Sequence, residues 1–315
     1  MKNLITGIHG FAGSHLVDRL LKQNEEVVGI ARSVADNGNT KHIQDRIRVL
    51  SCDIVNRQEL KAVLETVRPQ RIYHLAGVSF VPDADKEGAK VFDTHFIGTL
   101  NLLQAVKELK MDCRILFAGS SEAYGTVAEE ESPVKETQLL QPVSLYGVSK
   151  ASADLLAHSY FLRDGLNVIR GRSYSHIGPR QSSRFVCSSF ARQIAEIEKG
   201  AEPVIRAGNL ESYRDFTDVR DTVRAYHAIM KKASAGEVFN ICSGNTVSVR
   251  SILDILLDIS SIAARIKRDP KLFREEKPLR VCGDNSLLAL RTGWRPQIPL
   301  KQTLGDLLNY WRENI

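Results

Sequence analysis

The sequence predicts an α/β protein in which a doubly wound parallel sheet is followed by a smaller, mixed α/β C-terminal lobe. Three observations carry this expectation. Short runs rich in Ile, Val and Leu alternate with segments of helical period through the first half; a glycine turn joins the first run to the first helical segment; and the alternation becomes irregular after about Gly171. Repeated strand and helix units of this kind build a parallel sheet covered by helices on both faces.

The runs Asn3 to Thr6, Glu26 to Ala31, Arg48 to Cys52, Arg71 to Ala76, Arg114 to Ser120 and Val168 to Ser173 read as strands. Phe11 to Leu21 and Gly98 to Leu109 have helical period between them. A chain of 315 residues is longer than one average domain, so two lobes are expected. Residues 1–170 form the first, with about 210–245 returning to it; residues 171–209 and 246–315 form the second. The later part contains the loops Gly178-Pro179 and Asp269-Pro270. It ends in an amphipathic helix carrying Leu304, Leu307, Leu308 and Trp311.

Composition narrows the function classes. The 43% hydrophobic and 25% charged residues are ordinary globular usage. The net charge of +6 is scattered among acidic residues, which fits a solvated surface and a small phosphorylated ligand better than nucleic acid. No apolar run approaches the length of a membrane span, so no membrane partner is expected. The five cysteines are isolated and odd in number, which argues for a reducing, cytoplasmic compartment; they lack metal-ligand spacing, and no metal is expected.

The first chemical signal is Thr6-Gly7-Ile8-His9-Gly10-Phe11-Ala12-Gly13. Glycines after a first strand allow a tight turn and close backbone approach, so that free amides at a helix N-terminus face a pyrophosphate. In this position they indicate a Rossmann dinucleotide site with Gly7, Gly10, Phe11, Ala12 and Gly13 as its wall. Cofactor choice is set at the end of the second strand, where Gly29-Ile30-Ala31-Arg32-Ser33 has no carboxylate for a ribose hydroxyl but offers Arg32 to a 2'-phosphate. NADP(H) is therefore expected. Asp53-Ile54, after the third strand, is placed either to flank the adenine or to cap the next helix.

The second signal is Tyr146-Gly147-Val148-Ser149-Lys150, with Ser120 at the end of the fifth strand. On a helix, Lys150 lies one turn beyond Tyr146 on the same face. Tyrosine's ordinary pKa is about 10, and a nearby ammonium is expected to favour phenolate, letting Tyr146 exchange a proton near neutrality. Ser120 would hydrogen-bond the same substrate oxygen.

Gly7 to Gly13, His74-Leu75-Ala76-Gly77, Ser120 and the Tyr146/Lys150 pair together resemble the extended short-chain dehydrogenase/reductases. That resemblance adds Leu75, Ala76 and Gly77 to the cofactor site. Within the group, Gly119 to Gly125, Tyr146 to Lys150, Ser175-His176-Ile177-Gly178-Pro179 with Gln181-Ser182, and Gly208 to Glu211 leading into Arg214 to Asp221 are similar to the GDP-4-keto-6-deoxy-D-mannose reductases. These form GDP-D-rhamnose by reducing the C4 ketone. The resemblance implies a GDP-sugar substrate contacted by Ser79, Ser121, Ser175, Phe185, Val186, Arg214 and Arg274. It also implies a homodimer through helices including the one carrying Tyr146, where Ala151, Ala153, Leu155 and Leu156 either serve the interface or pack internally.

Glu122 is shared with the GDP-mannose 4,6-dehydratases, where a carboxylate removes the C5 proton after C4 oxidation; it joins the catalytic set, with elimination as the alternative chemistry. A non-catalytic NADP(H)-binding protein is a more distant alternative. Three departures from the family pattern stand out. Ser175 replaces an Asn before His176; Glu275 replaces the Pro of an Arg-Pro pair at Arg274; and His95 replaces an Asn, as a core histidine or as an active-site group.

Overall fold

The protein's computed structural model describes residues 1–35, 38–272 and 279–315. Its first half runs β1 (Lys2–Thr6), α1 (Phe11–Leu21), β2 (Glu26–Ala31), β3 (Arg48–Ser51), α2 (Arg57–Val67), β4 (Arg71–His74), α3 (Val81–Lys86), α4 (Gly88–Phe92), α5 (Gly98–Glu108), β5 (Arg114–Ser120), α6 (Leu145–Asp164) and β6 (Val168–Ser173). A 3-10 segment, Gly38–Arg46, joins β2 to β3, and one π turn, Asp93–Ile97, joins α4 to α5. The second half runs β7 (Ser175–Ile177), α7 (Val186–Glu198), β8 (Val204–Ala207), β9 (Tyr213–Asp218), α8 (Val219–Lys232), β10 (Val238–Ile241), β11 (Thr246–Ser248), α9 (Val249–Ser260), β12 (Arg265–Arg268), α10 (Ser286–Thr292) and α11 (Leu300–Asn314).

The main sheet has strand order β3-β2-β1-β4-β5-β6-β10 and is parallel throughout. Its interior strands are buried on both faces, as a parallel sheet covered by helices requires. Leu60, Leu64, Leu102, Leu103, Ala153 and Ala157 from α2, α5 and α6 pack one face. Leu16, Leu20, Val223, Ile229 and Met230 from α1 and α8 pack the other. The strand order reverses between β1 and β4, where the carboxyl ends of neighbouring strands open a crevice for a ligand.

β4 ends at His74, two residues short of the expected strand, because the chain turns into a loop whose Ala76 amide donates to Thr6 Oγ1 at 2.9 Å. Two small sheets, β11-β9-β7 and β12-β8, lie in the second half. There Phe190, Ile194, Ile205, Ile252, Leu253 and Leu256 form a separate core that takes Leu304, Leu307 and Leu308 of α11 at helical spacing, with Trp311 against it. Leu288 and Trp294, inside the span assigned to the second lobe, instead pack with Tyr226, Ile229 and Phe239 against the main sheet. Their apolar side chains fill the space beside β10, so the 246–315 segment divides between the two cores. On α6, Ala151 and Ala153 are buried within the chain, whereas Leu155 is exposed and Leu156 partly covered. Among the described residues, no helix is long and apolar enough to cross a membrane and no cluster of three metal-ligating side chains is present.

Candidate active site

The crevice is built first by the glycine turn. Gly7 sits at φ +70°, which a side chain would strain, and a Cβ on Gly13 would come within 2.4 Å of the Gly7 carbonyl oxygen. Gly10 caps α1 without a side chain, and the first turn contains no acidic residue. The helix dipole and the first-turn amides are thus free of a built-in anion, which fits a dinucleotide pyrophosphate. Arg32 is exposed just beyond β2. The residues present therefore fit the expected dinucleotide.

Other members of the expected cofactor wall have mixed roles. Ile54 is buried against Gly98, and Asp53 accepts the Val55 amide at 3.0 Å, a local turn contact. Ala76 lies against Gly7, Leu75 packs into the sheet core, and Gly77 is exposed at the crevice. Phe11 is partly buried, its ring stacked on His176.

The proposed catalytic side chains meet where β5 ends. Ser144 caps α6 by accepting the Gly147 amide at 3.0 Å, and a Cβ on Gly147 would lie 2.6 Å from the Glu122 carbonyl. That missing side chain lets the start of α6 press against the turn after Ser120. The rotation of α6 is fixed from below by Asp154, one turn beyond Lys150: Arg170 donates to it at 2.9 Å, and Arg172 donates to both its oxygens at 2.9 and 3.0 Å. Tyr146 is thereby held with its phenol near the Ser120 hydroxyl, whose influence lowers the phenol's pKa. The Ser120 hydroxyl also accepts the Glu122 amide at 3.2 Å, and Lys150 Nζ donates to the Ala118 carbonyl at 3.0 Å.

Titration in this cluster departs from the expectation. Burial pushes the Tyr146 phenol well above the ordinary tyrosine value; the Ser120 hydrogen bond opposes this and the Glu122 carboxylate adds to it. Burial also draws Lys150 down to about 8. Burial is the largest influence on both groups, and the Lys150 ammonium is not among the charges that act on the Tyr146 phenol in the ligand-free chain.

The expected substrate contacts surround this cluster unevenly. Ser121 is partly buried beside Ser120; Ser79 and Ser175 are exposed. Phe185 and Val186 begin α7, with Phe185 edge-on to Phe80 at 5.4 Å. Arg214, on β9, donates to the Tyr213 carbonyl at 2.7 Å. Arg274 lies outside the described residues.

Two features had no local signal in the sequence. Arg184 pairs with Asp83 at 2.8 and 2.5 Å and lies over the Phe80 ring at 4.1 Å, joining α3 to the loop before α7 across a long sequence separation. Ser149 lies between Tyr146 and Lys150 in the motif itself, yet its contact to His95 is invisible until the π turn brings that ring to α6.

Residues 4–307 match the family model described as GDP-mannose 4,6 dehydratase. The chain is 36% identical over 248 residues, 78% of its own length and 82% of the relative's, to a GDP-6-deoxy-D-mannose reductase of Pseudomonas aeruginosa. A GDP-mannose 4,6-dehydratase of Vibrio cholerae is 27% identical, with 98% of this chain and 92% of that protein covered. Among solved structures, that of RMD from Pseudomonas aeruginosa complexed with NADPH superposes with TM-score 0.87 at 32% identity, covering 100% of this chain and 99% of that one.

Proposed function

This chain belongs to the GDP-mannose 4,6 dehydratase family, and from that premise we propose that it reduces the C4 ketone of GDP-4-keto-6-deoxy-D-mannose with NADPH, giving the GDP-6-deoxyhexose GDP-D-rhamnose. The similarity to a GDP-6-deoxy-D-mannose reductase and to a structure complexed with NADPH supports the reaction and the cofactor. The observation that carries the reading is the buried Tyr146 phenol near Ser120, with Lys150 one turn further along α6: ketone reduction needs a proton donor at the developing alkoxide.

NADPH, when bound, supplies the hydride. Tyr146 transfers its phenolic proton to the C4 oxygen, while the Ser120 hydroxyl polarises that oxygen and steadies its growing charge. Lys150, largely an ammonium below about 8, offers positive charge to the tyrosinate left behind. Gly7, Gly10, Ala12 and Gly13 would hold the cofactor's phosphates by their backbone, and Arg32 would hold its 2'-phosphate. Ser79, Ser121 and Ser175 contact the sugar nucleotide, Phe185 and Val186 its base, and Arg214 its diphosphate.

Dehydration is the second reading, favoured by one observation: the exposed Glu122 carboxylate lies close enough to raise the Tyr146 pKa. That chemistry starts by oxidising C4, with Tyr146 taking the proton that reduction has it give. Two incubations separate the readings. A reductase consumes NADPH with the ketosugar and leaves GDP-mannose untouched, whereas a dehydratase converts GDP-mannose without added reductant.

Free thiols at all five cysteines support a cytoplasmic setting. Exposed Leu155 and Leu162 on α6 support a homodimer across that helix, which sedimentation of the purified chain would test.

A further inference from the structure

His95 is 1% exposed and sits on the π turn between α4 and α5. A π turn inserts one extra residue into a helix and re-aims its side chains, a device common at functional sites. Two contacts define the ring's protonation. The Val78 amide donates to Nε2 at 3.0 Å, so Nε2 carries no proton; the ring proton is on Nδ1, which donates to Ser149 Oγ at 2.8 Å. Ser149 in turn donates to the Tyr146 carbonyl at 2.8 Å. The imidazole also stands edge-on to the Tyr146 ring, with centroids 5.5 Å apart and planes at 84°.

The ring is packed closely against Gly77. A Cβ on Gly77 would lie 2.8 Å from His95 Nε2 and 3.4 Å from Lys150 Nζ. Behind the ring, Thr99 donates to the His95 carbonyl at 2.5 Å and takes a hydrogen bond from His74 Nε2 at 3.1 Å, and Thr6 donates to His74 Nδ1 at 2.9 Å. Two runs of hydrogen bonds thus meet at His95, one reaching its carbonyl from the end of β1 and one leaving its ring for the first turn of α6. Burial, with the neighbouring Lys150 ammonium, pushes the His95 pKa down to about 2, consistent with a fixed neutral tautomer.

We infer that His95 is a positioning residue for the reduction: through Ser149 and its own ring it ties Tyr146 to the loop after β4, keeping the phenol on Ser120. The inference rests on Tyr146 acting as the proton donor proposed above. An asparagine at this place could accept the Val78 amide but would be too short to reach Ser149 as well and would present no ring to Tyr146.

The test is a double-variant cycle with His95→Asn, Ser149→Ala and the pair together, assayed on GDP-4-keto-6-deoxy-D-mannose at saturating NADPH, with NADPH affinity measured separately. Because both substitutions cut one link, each is expected to lower kcat about tenfold. The double variant should be no worse than the poorer single, with KM and the NADPH Kd changed by less than about twofold. Losses that multiply in the double variant, an unchanged kcat, or a loss confined to KM or Kd would overturn the inference. Ser149→Ala removes only a hydroxyl, so it keeps the question open to measurement if His95→Asn folds poorly. An inactive parent enzyme would overturn the reductase reading itself, and the inference with it.

Discussion

Phe11 of the glycine turn lies flat against His176 of β7, ring centroids 5.7 Å apart and planes within 8°. His15 and Asp18 continue that stripe along α1 at helical spacing: His15 Nε2 donates to the Pro179 carbonyl at 2.8 Å, and Arg180 donates to both His15 Nδ1 and Asp18 at 2.7 Å. The helix that opens the dinucleotide crevice is therefore also the surface on which the loop of the second lobe rests.

Replacing Arg180 by Leu leaves the buried His15 and the partly buried Asp18 without their shared donor. Stability is expected to fall by about 1–3 kcal/mol, as for other part-buried polar groups that lose a partner. Urea unfolding of the two proteins at pH 7 measures it; equal midpoints would show that the tie is energetically idle.

Tyr146→Phe removes the proposed proton donor and little volume. Loss of general acid catalysis predicts a fall in kcat of about 10²–10⁴-fold with NADPH still bound. Steady-state rates together with cofactor fluorescence titration distinguish this from a collapsed site, in which both would be lost.

Lys150 gives a pH dependence with a defined sign. Folded, its pKa is drawn down to about 8 by burial; unfolded, it returns to about 10.4. Between these values the unfolded chain holds the extra proton, so this residue makes stability rise with pH, by about 3 kcal/mol in total. Lys150→Met should be the more stable protein at pH 7, with the gap closing by about pH 10. Parallel stability curves for the two ligand-free proteins would contradict the assignment.

Most of the sheet was legible because its signal is local. Short apolar runs located the strands through Val168–Ser173, and period-3.6 patterning placed α1 at Phe11–Leu21 without error. The Tyr146 and Lys150 pairing on one helix was legible for the same reason, since the two are one helical turn apart. What could not be read depends on distance and depth. Nothing in the run around Leu288 reports which of two apolar cores it will join. Nothing beside Tyr146 reports how deeply its phenol is buried, and burial is what raises its pKa. The ties Arg184–Asp83 and His95–Ser149 connect elements whose proximity is created only by the closed sheet.

Arg32 tests the cofactor assignment. Arg32→Ala should weaken NADPH binding about tenfold while leaving NADH binding nearly unchanged, because only the former carries a 2'-phosphate for the guanidinium. Paired dissociation constants at fixed ionic strength measure the ratio; equal losses for both nucleotides would remove Arg32 from the phosphate site.

The most direct test of the reduction follows the hydride itself. With NADPH deuterated at both C4 positions and unlabelled GDP-4-keto-6-deoxy-D-mannose, the product should carry one deuterium at C4 of the sugar for each NADPH oxidised, read by NMR and mass spectrometry. A product without label at C4, or conversion of GDP-mannose to the ketosugar with no NADPH consumed, would contradict it.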